Sequence, residues 1–184
     1  RKMHTSRRDA FRSINDKPLA KVMGDQLVII NNNFTPRDKS RELVLENKFD
    51  DKVALVKTYP GMSGDIIDFL VDKGYHGIVL EGTGLGHAPV YIFESLKRAI
   101  EEEIPVVMTS QCLWGRINMN VYSTGRDLLA MGVIPGEDML PEVALVKLMW
   151  VLAKTRNMDE VRKLMLTNIA GEINPRTVFS AYLS

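Results

Sequence analysis

Lys2 lies close to two hydroxyls, Thr5 and Ser6. A lysine whose pKa is lowered by burial can relay a proton from a hydroxyl nucleophile, and a lysine near a chain start is also commonly a plain solvated charge. The loop Glu81-Gly82-Thr83-Gly84-Leu85-Gly86-His87 is the second candidate. Its G-x-G-x-G spacing is not the G-x-G-x-x-G of a dinucleotide site, and the next strand ends in Thr109-Ser110-Gln111 with no carboxylate for a ribose. No G-x-x-x-x-G-K-[ST] phosphate loop occurs, so no ATP site of that type is expected. The glycines either only let the backbone turn sharply or form a small-molecule contact loop. His87, at the mouth of that loop, could donate to a substrate carboxylate or amide, or could cap the helix that Pro89 begins. His4, His76 and His87 share no metal-ligand spacing with one another or with Cys112, so no metal site is expected. Nothing adjacent to Cys112 would activate a thiolate, so a buried thiol is expected there.

These residues need a scaffold. Gly77-Ile78-Val79-Leu80 is an unbroken apolar run, the pattern of a strand covered on both faces, and Pro89 opens a segment of helical period. Val53 to Tyr59 reads as another strand, followed by a turn at Pro60-Gly61-Met62 and a helix capped by Ser63 and ending near Gly74. Ile66, Ile67, Leu70 and Val71 form its apolar stripe, and Val90, Phe93, Leu96 and Ile100 that of the next helix. The acidic run Glu101-Glu102-Glu103, unfavourable for the macrodipole, should lie in solvent. Pro105 to Thr109 is a third strand, so the expected core is a small parallel sheet of three strands flanked by helices, with right-handed crossovers. In such sheets ligands gather beyond the carboxyl ends of the strands, where Gly82 to His87 would sit. A long loop from Leu113 to Thr124 follows, then a short helix near Asp127 to Met131, a turn from Gly132 to Gly136, and helices over Met139 to Lys154 and Met158 to Thr167. The methionines and aromatics of these last helices read as core packing. Earlier in the chain, Pro18 to Val22 and Gln26 to Ile30 flank Gly24-Asp25 as a β-hairpin, and Asn31 to Ser40 reads as an exposed linker. Residues 1–48 and 49–184 are the expected domains.

The chain has 184 residues, 45% hydrophobic and 26% charged, the composition of an ordinary globular protein with room for a real core. Lys+Arg 24 against Asp+Glu 23 gives a net charge of +1, so no global field points to nucleic acid or a membrane surface. One cysteine excludes an internal disulfide framework. No apolar run approaches the roughly 20 residues of a membrane span, and the start lacks the apolar core of a signal peptide, so a soluble cytoplasmic protein is expected. Because the chain opens on Arg1 and its first apolar runs resemble the close of a domain, a fragment is expected.

Four stretches carry a resemblance to a known family: Arg1 to Asn15; Gly77 to His87; Thr109 to Arg116 with Asn118 to Tyr122; and Gly132 to Glu142. They resemble the family that joins the asparaginases to the D-type subunit of glutamyl-tRNA(Gln) amidotransferase, threonine amidohydrolases with a larger catalytic N-terminal domain and a smaller α/β C-terminal domain. The resemblance covers nearly the whole chain and implies the C-terminal part of such a protein, preceded by a β-hairpin remnant of the catalytic domain. Trp114-Gly115-Arg116-Ile117-Asn118-Met119-Asn120 and the phrase from Asp138 to Trp150 are worded like the archaeal amidotransferase branch.

That branch implies a ligase system for protein biosynthesis. The D-type subunit releases ammonia from glutamine, and an E-type partner uses ATP and Mg to activate glutamate on mischarged tRNA(Gln), with the D-type subunit itself a homodimer. No cofactor would be bound by this chain. The resemblance places Lys2 on the family's catalytic lysine, and His87, Asn120 and Tyr122 on or near positions lent to a neighbouring copy's site. The family's T-G-G-T-like and T-D-T-like motifs do not occur here, which implies that this chain lacks the nucleophile and is inactive alone. Two alternatives stay open: a cytoplasmic type I L-asparaginase, and a non-catalytic module that binds tRNA or a partner protein.

Overall fold

A computed structural model of the chain describes residues 1–177. They divide into two units, one holding residues 1–46 and 176–177 and the other residues 47–175.

In the first unit the two apolar runs around Gly24-Asp25 pair as β1 (Ala20–Met23) and β2 (Gln26–Ile29). The hairpin is antiparallel, with Ala20 opposite Ile29 and Met23 opposite Gln26. Ahead of it the chain folds back on itself. Lys2 and Phe11 form an isolated antiparallel bridge, Met3 N donates to Ala10 O at 2.5 Å, and Arg12 N donates to Arg1 O at 2.9 Å. Arg7 closes the tip of this return with two bonds to Asp9, both 3.0 Å.

The second unit is built on a four-stranded parallel sheet in the order β3-β4-β5-β6: β3 (Val53–Lys57), β4 (Gly77–Gly82), β5 (Val106–Ser110) and β6 (Ile134–Pro135). Five helices accompany it: α1 (Asp65–Asp72), α2 (Phe93–Glu101), α3 (Ser123–Met131), α4 (Pro141–Leu152) and α5 (Met158–Leu166). Successive strand residues point to opposite faces, and here both faces are covered. Ile78, Leu80, Val106 and Met108 pack with Ile67, Leu70, Leu96 and Leu128 from α1, α2 and α3. Val79, Val107 and Ile134 pack with Leu148, Val151, Val161 and Met165 from α4 and α5. The unbroken apolar run of β4 is the direct consequence, since no residue of Ile78 to Leu80 meets water.

The α/β class, the parallel sheet and the hairpin are borne out, and the details differ in five places. The sheet has a fourth strand where a turn was expected, because Ile134 and Pro135 pair with Val107 and Met108. Pro135 is tolerated there because β6 is an edge strand. α1 is capped at Gly64, not Ser63, whose hydroxyl instead accepts from Asp65 N at 3.2 Å. Val90 is exposed because residues 90–92 form a 3₁₀ turn that shifts the helical phase, leaving Ile92, Phe93 and Leu96 to face the core. Likewise Ile66 points outward, and α3 begins at Ser123, four residues before the expected start.

Candidate functional site

All the candidate loops of the second unit leave from the carboxyl end of its sheet. β4 ends in the turn Thr83–His87, which closes on itself. Thr83 N donates to His87 O at 2.9 Å, and His87 N and Gly86 N each donate to Thr83 O at 3.0 Å. Gly86 has φ 97°, and a Cβ there would stand 3.1–3.2 Å from Met108, Ile117 and Met119. Glycine therefore serves both the backbone conformation and the close approach.

The next loop is laid against this one. Ser110 Oγ donates to Gly84 O at 2.7 Å, Gln111 N to Gly82 O at 2.8 Å, and Asn118 N to Leu85 O at 3.0 Å. Glu81, mostly buried at the end of β4, meets the exposed Lys57 amine at 3.3 Å. His87 sits where the two loops meet α3. Its Nδ1 lies 3.2 Å from Thr124 Oγ1, and its ring meets Tyr122 edge to face with centroids 5.0 Å apart. Its Nε2 is shut off from solvent, with no hydrogen-bond partner among the described residues.

His87 and Tyr122 are thus brought together. Asn120 lies on the turn just before Tyr122, its N donating to Asn118 Oδ1 at 3.3 Å and its carbonyl accepting from Arg126 at 3.1 Å. The alternative role for His87, capping the segment that Pro89 opens, is not what its side chain does, since Pro89 carries no side-chain cap and Nδ1 is engaged by Thr124. Cys112 is exposed, not buried, because it lies on the loop beyond β5, where its N donates to Ser110 Oγ at 3.0 Å.

Lys2 belongs to the first unit and is exposed on the bridged segment opposite Phe11. The adjoining carboxyl of Asp9 is pushed up by desolvation but held below its usual value by the charge of Arg7, a hydrogen bond within its own loop and Arg12. A groove in this unit is lined by Arg1, Arg8, Asp9, Phe11, Arg12 and Lys21.

Three further residues organise the site and escape a reading of spacing: Ser110, Gln111 and Thr124. Each acts through side-chain bonds between segments 26 to 53 residues apart, which leave no periodicity behind. The polar triplet Ser110-Gln111-Cys112 after an apolar strand is the only trace. Among the described residues, no helix is long and apolar enough to cross a membrane, and no three of His, Cys, Asp and Glu are grouped to hold a metal ion.

A parallel sheet covered on both faces, with hydroxyl, amide and imidazole groups gathered on the loops at its carboxyl end, defines a layered α/β domain. Residues 52–165 match the Glutaminase/Asparaginase C-terminal domain, and the chain belongs to that family. Over all 184 residues it is 62% identical to the D-type subunit of glutamyl-tRNA(Gln) amidotransferase from Pyrococcus abyssi and 56% identical to that from Thermococcus kodakarensis. In both cases the match takes in 100% of this chain and 42% of the relative, so the chain spans about two-fifths of these proteins. Among solved structures, the thermostable L-asparaginase from Thermococcus kodakarensis superposes with a TM-score of 0.83 at 38% identity, over 95% of this chain and 53% of that one. L-asparaginase I from Vibrio cholerae gives 0.79 at 32%, over 92% and 52%.

Proposed function

We propose that this chain is the C-terminal part of the glutamine-hydrolysing D-type subunit of a glutamyl-tRNA(Gln) amidotransferase. The whole protein releases ammonia from glutamine, and an E-type partner uses ATP with Mg to activate the glutamate on mischarged tRNA(Gln), which ammonia then converts to glutaminyl-tRNA. The observation that carries this reading is identity of 62% along the full chain to a relative named as that amidotransferase subunit, against 38% to an L-asparaginase of the same fold.

Lys2 is the amine that helps activate a threonine hydroxyl supplied by residues outside this chain. The carboxyl-end loops with His87, Asn120 and Tyr122 form a wall of the amide pocket, including that of a neighbouring copy. Nδ1 of His87 is engaged by Thr124 of α3 and Nε2 is buried, so its contribution is to shape that wall and hold Tyr122 at its edge. Two 3.0 Å bonds between Arg7 and Asp9 brace the turn between the two bridged segments, one of which carries Lys2, so the amine is carried on braced backbone.

The test uses the full-length protein with its E-type partner. Ammonia release from glutamine is expected, and Lys2→Ala should lower kcat by a factor of about 10² or more, in the range expected for loss of a proton-relaying group. Unchanged release in Lys2→Ala would remove the role of Lys2. Asparagine turnover that exceeds glutamine turnover and ignores the partner would instead select the L-asparaginase reading.

A further inference from the structure

Gln111 joins the ends of three strands through one side-chain amide. Its Nε2 donates to Thr58 O at 2.6 Å and lies 3.0 Å from both Thr58 Oγ1 and Glu81 O. Thr58 follows β3, Glu81 belongs to β4 and Gln111 follows β5, so the amide spans the carboxyl end of the sheet. Two of its neighbours are carbonyls, which only accept, so the nitrogen has to face them and the orientation of the amide is determined. The same Glu81 carbonyl accepts from Thr58 N at 3.0 Å and Thr58 Oγ1 at 2.9 Å. Thr58 is 2% exposed, so this network is shielded and the Thr58 carbonyl would be poorly served without Gln111.

The main chain of Gln111 continues the connection. Its N donates to Gly82 O at 2.8 Å, and the preceding Ser110 hydroxyl donates to Gly84 O at 2.7 Å. The Thr83–His87 loop is therefore closed internally by its own bonds, while its stance on the sheet is set by residues 110 and 111.

We infer that Gln111 is a positioning residue for the amide-hydrolysing site: it touches no substrate and acts by holding the loop that carries His87 against Tyr122. The inference rests on the reading of these loops as a pocket wall. A misplacement of about 1 Å in such a site can cost on the order of 10²-fold in rate or binding. The nucleophile and Lys2 do not lie on this loop, so the loss should fall on substrate binding more than on turnover.

The experiment compares full-length wild type with Gln111→Met, Gln111→Glu and Gln111→Asn in the presence of the E-type partner. Steady-state glutamine hydrolysis is measured together with hydrogen exchange of the amides from Gly82 to His87. Gln111→Met keeps the length and removes the donors. KM for glutamine should rise about ten-fold or more with kcat within about three-fold, and exchange of the loop amides should quicken by a similar factor. Gln111→Glu, which sets carboxylate oxygens against two carbonyls, should be worse, and Gln111→Asn, which keeps the amide but reaches less far, intermediate. An unchanged KM with unchanged loop protection would overturn the inference, as would a fall in kcat at constant KM. Wild type that releases no ammonia from glutamine would refute the functional reading alone, and loop exchange in the same variants would then decide the positioning role.

Discussion

Lys147 is the substitution that most sharply tests how the second unit is held together. It lies midway along α4 between Val146 and Leu148, and its side chain is only 6% exposed. Nζ donates to Thr167 O at 2.6 Å and to Glu172 Oε1 at 2.5 Å, and Glu172 also accepts from Ala170 N at 2.6 Å and Ile169 N at 3.1 Å. Breaking a buried pair by removing one partner costs about 3–5 kcal/mol, because the other charge is left uncompensated. In Lys147→Met the carboxylate keeps its two backbone donors, so the low end, about 3 kcal/mol, is expected. In Lys147→Met/Glu172→Leu no charge is stranded; the two backbone donors lose their acceptor and the Thr167 carbonyl its donor, which points to a net loss of about 1–2 kcal/mol.

The pH dependence follows from the direction of the Glu172 shift. Burial pushes its carboxyl up, but Lys147 and the two backbone donors hold it below 4.5. The wild-type contribution is therefore fully present above that value and fades as pH falls through the lower native one. Urea unfolding at pH 7 and pH 3.5 measures both effects, and the gap between wild type and Lys147→Met should narrow at the lower pH. A single-variant cost under about 1 kcal/mol, or a double variant as unstable as the sum of the singles, would refute the assignment of a stranded buried charge.

Two more outcomes are expected. Asp50, with its side chain 9% exposed, accepts from Lys52 N at 2.9 Å, from His76 Nδ1 and from Arg156; burial raises its pKa, and these partners more than offset that and hold it below 3.8. Asp50→Asn should thus cost about 2 kcal/mol near neutrality, with the two proteins converging in urea titrations as pH falls below about 4; an equal gap at pH 7 and pH 3 would contradict this. Gly82→Ala places a methyl 2.7 Å from His87 O and 2.6 Å from Met108 Sδ, and since the backbone contact cannot yield, a loss of about 1–3 kcal/mol with faster exchange from Thr83 to His87 is expected. Wild-type exchange in that variant would show that the loop does accommodate the methyl.

Much of the architecture was legible because burial writes itself into side-chain type. Ile78, Val79 and Leu80 had to be apolar in succession once helices lay on both faces, and the hairpin showed as two apolar runs about Gly24-Asp25. What failed to show was too short or lacked a period. β6 is two residues with a proline, Val90 sits on a 3₁₀ turn out of phase with the helix after it, and Ser123-Thr124-Gly125 are weak helix formers at the head of α3. Lys147 was hidden by the expectation that charge faces water. Within the site, the glycine loop and His87 stood out by composition. Gln111 and Thr124 did not, since a glutamine that ties strand ends reads like any loop glutamine.

The reciprocal bonds between Thr83 and His87 carry a consequence for how such a surface evolves. A turn that supplies its own closure arrives preorganised, so whatever settles beside it need not compensate for freezing a floppy segment. The side chain at its tip, Leu85, can then be exchanged to suit a different neighbour while the backbone that presents it stays as it is.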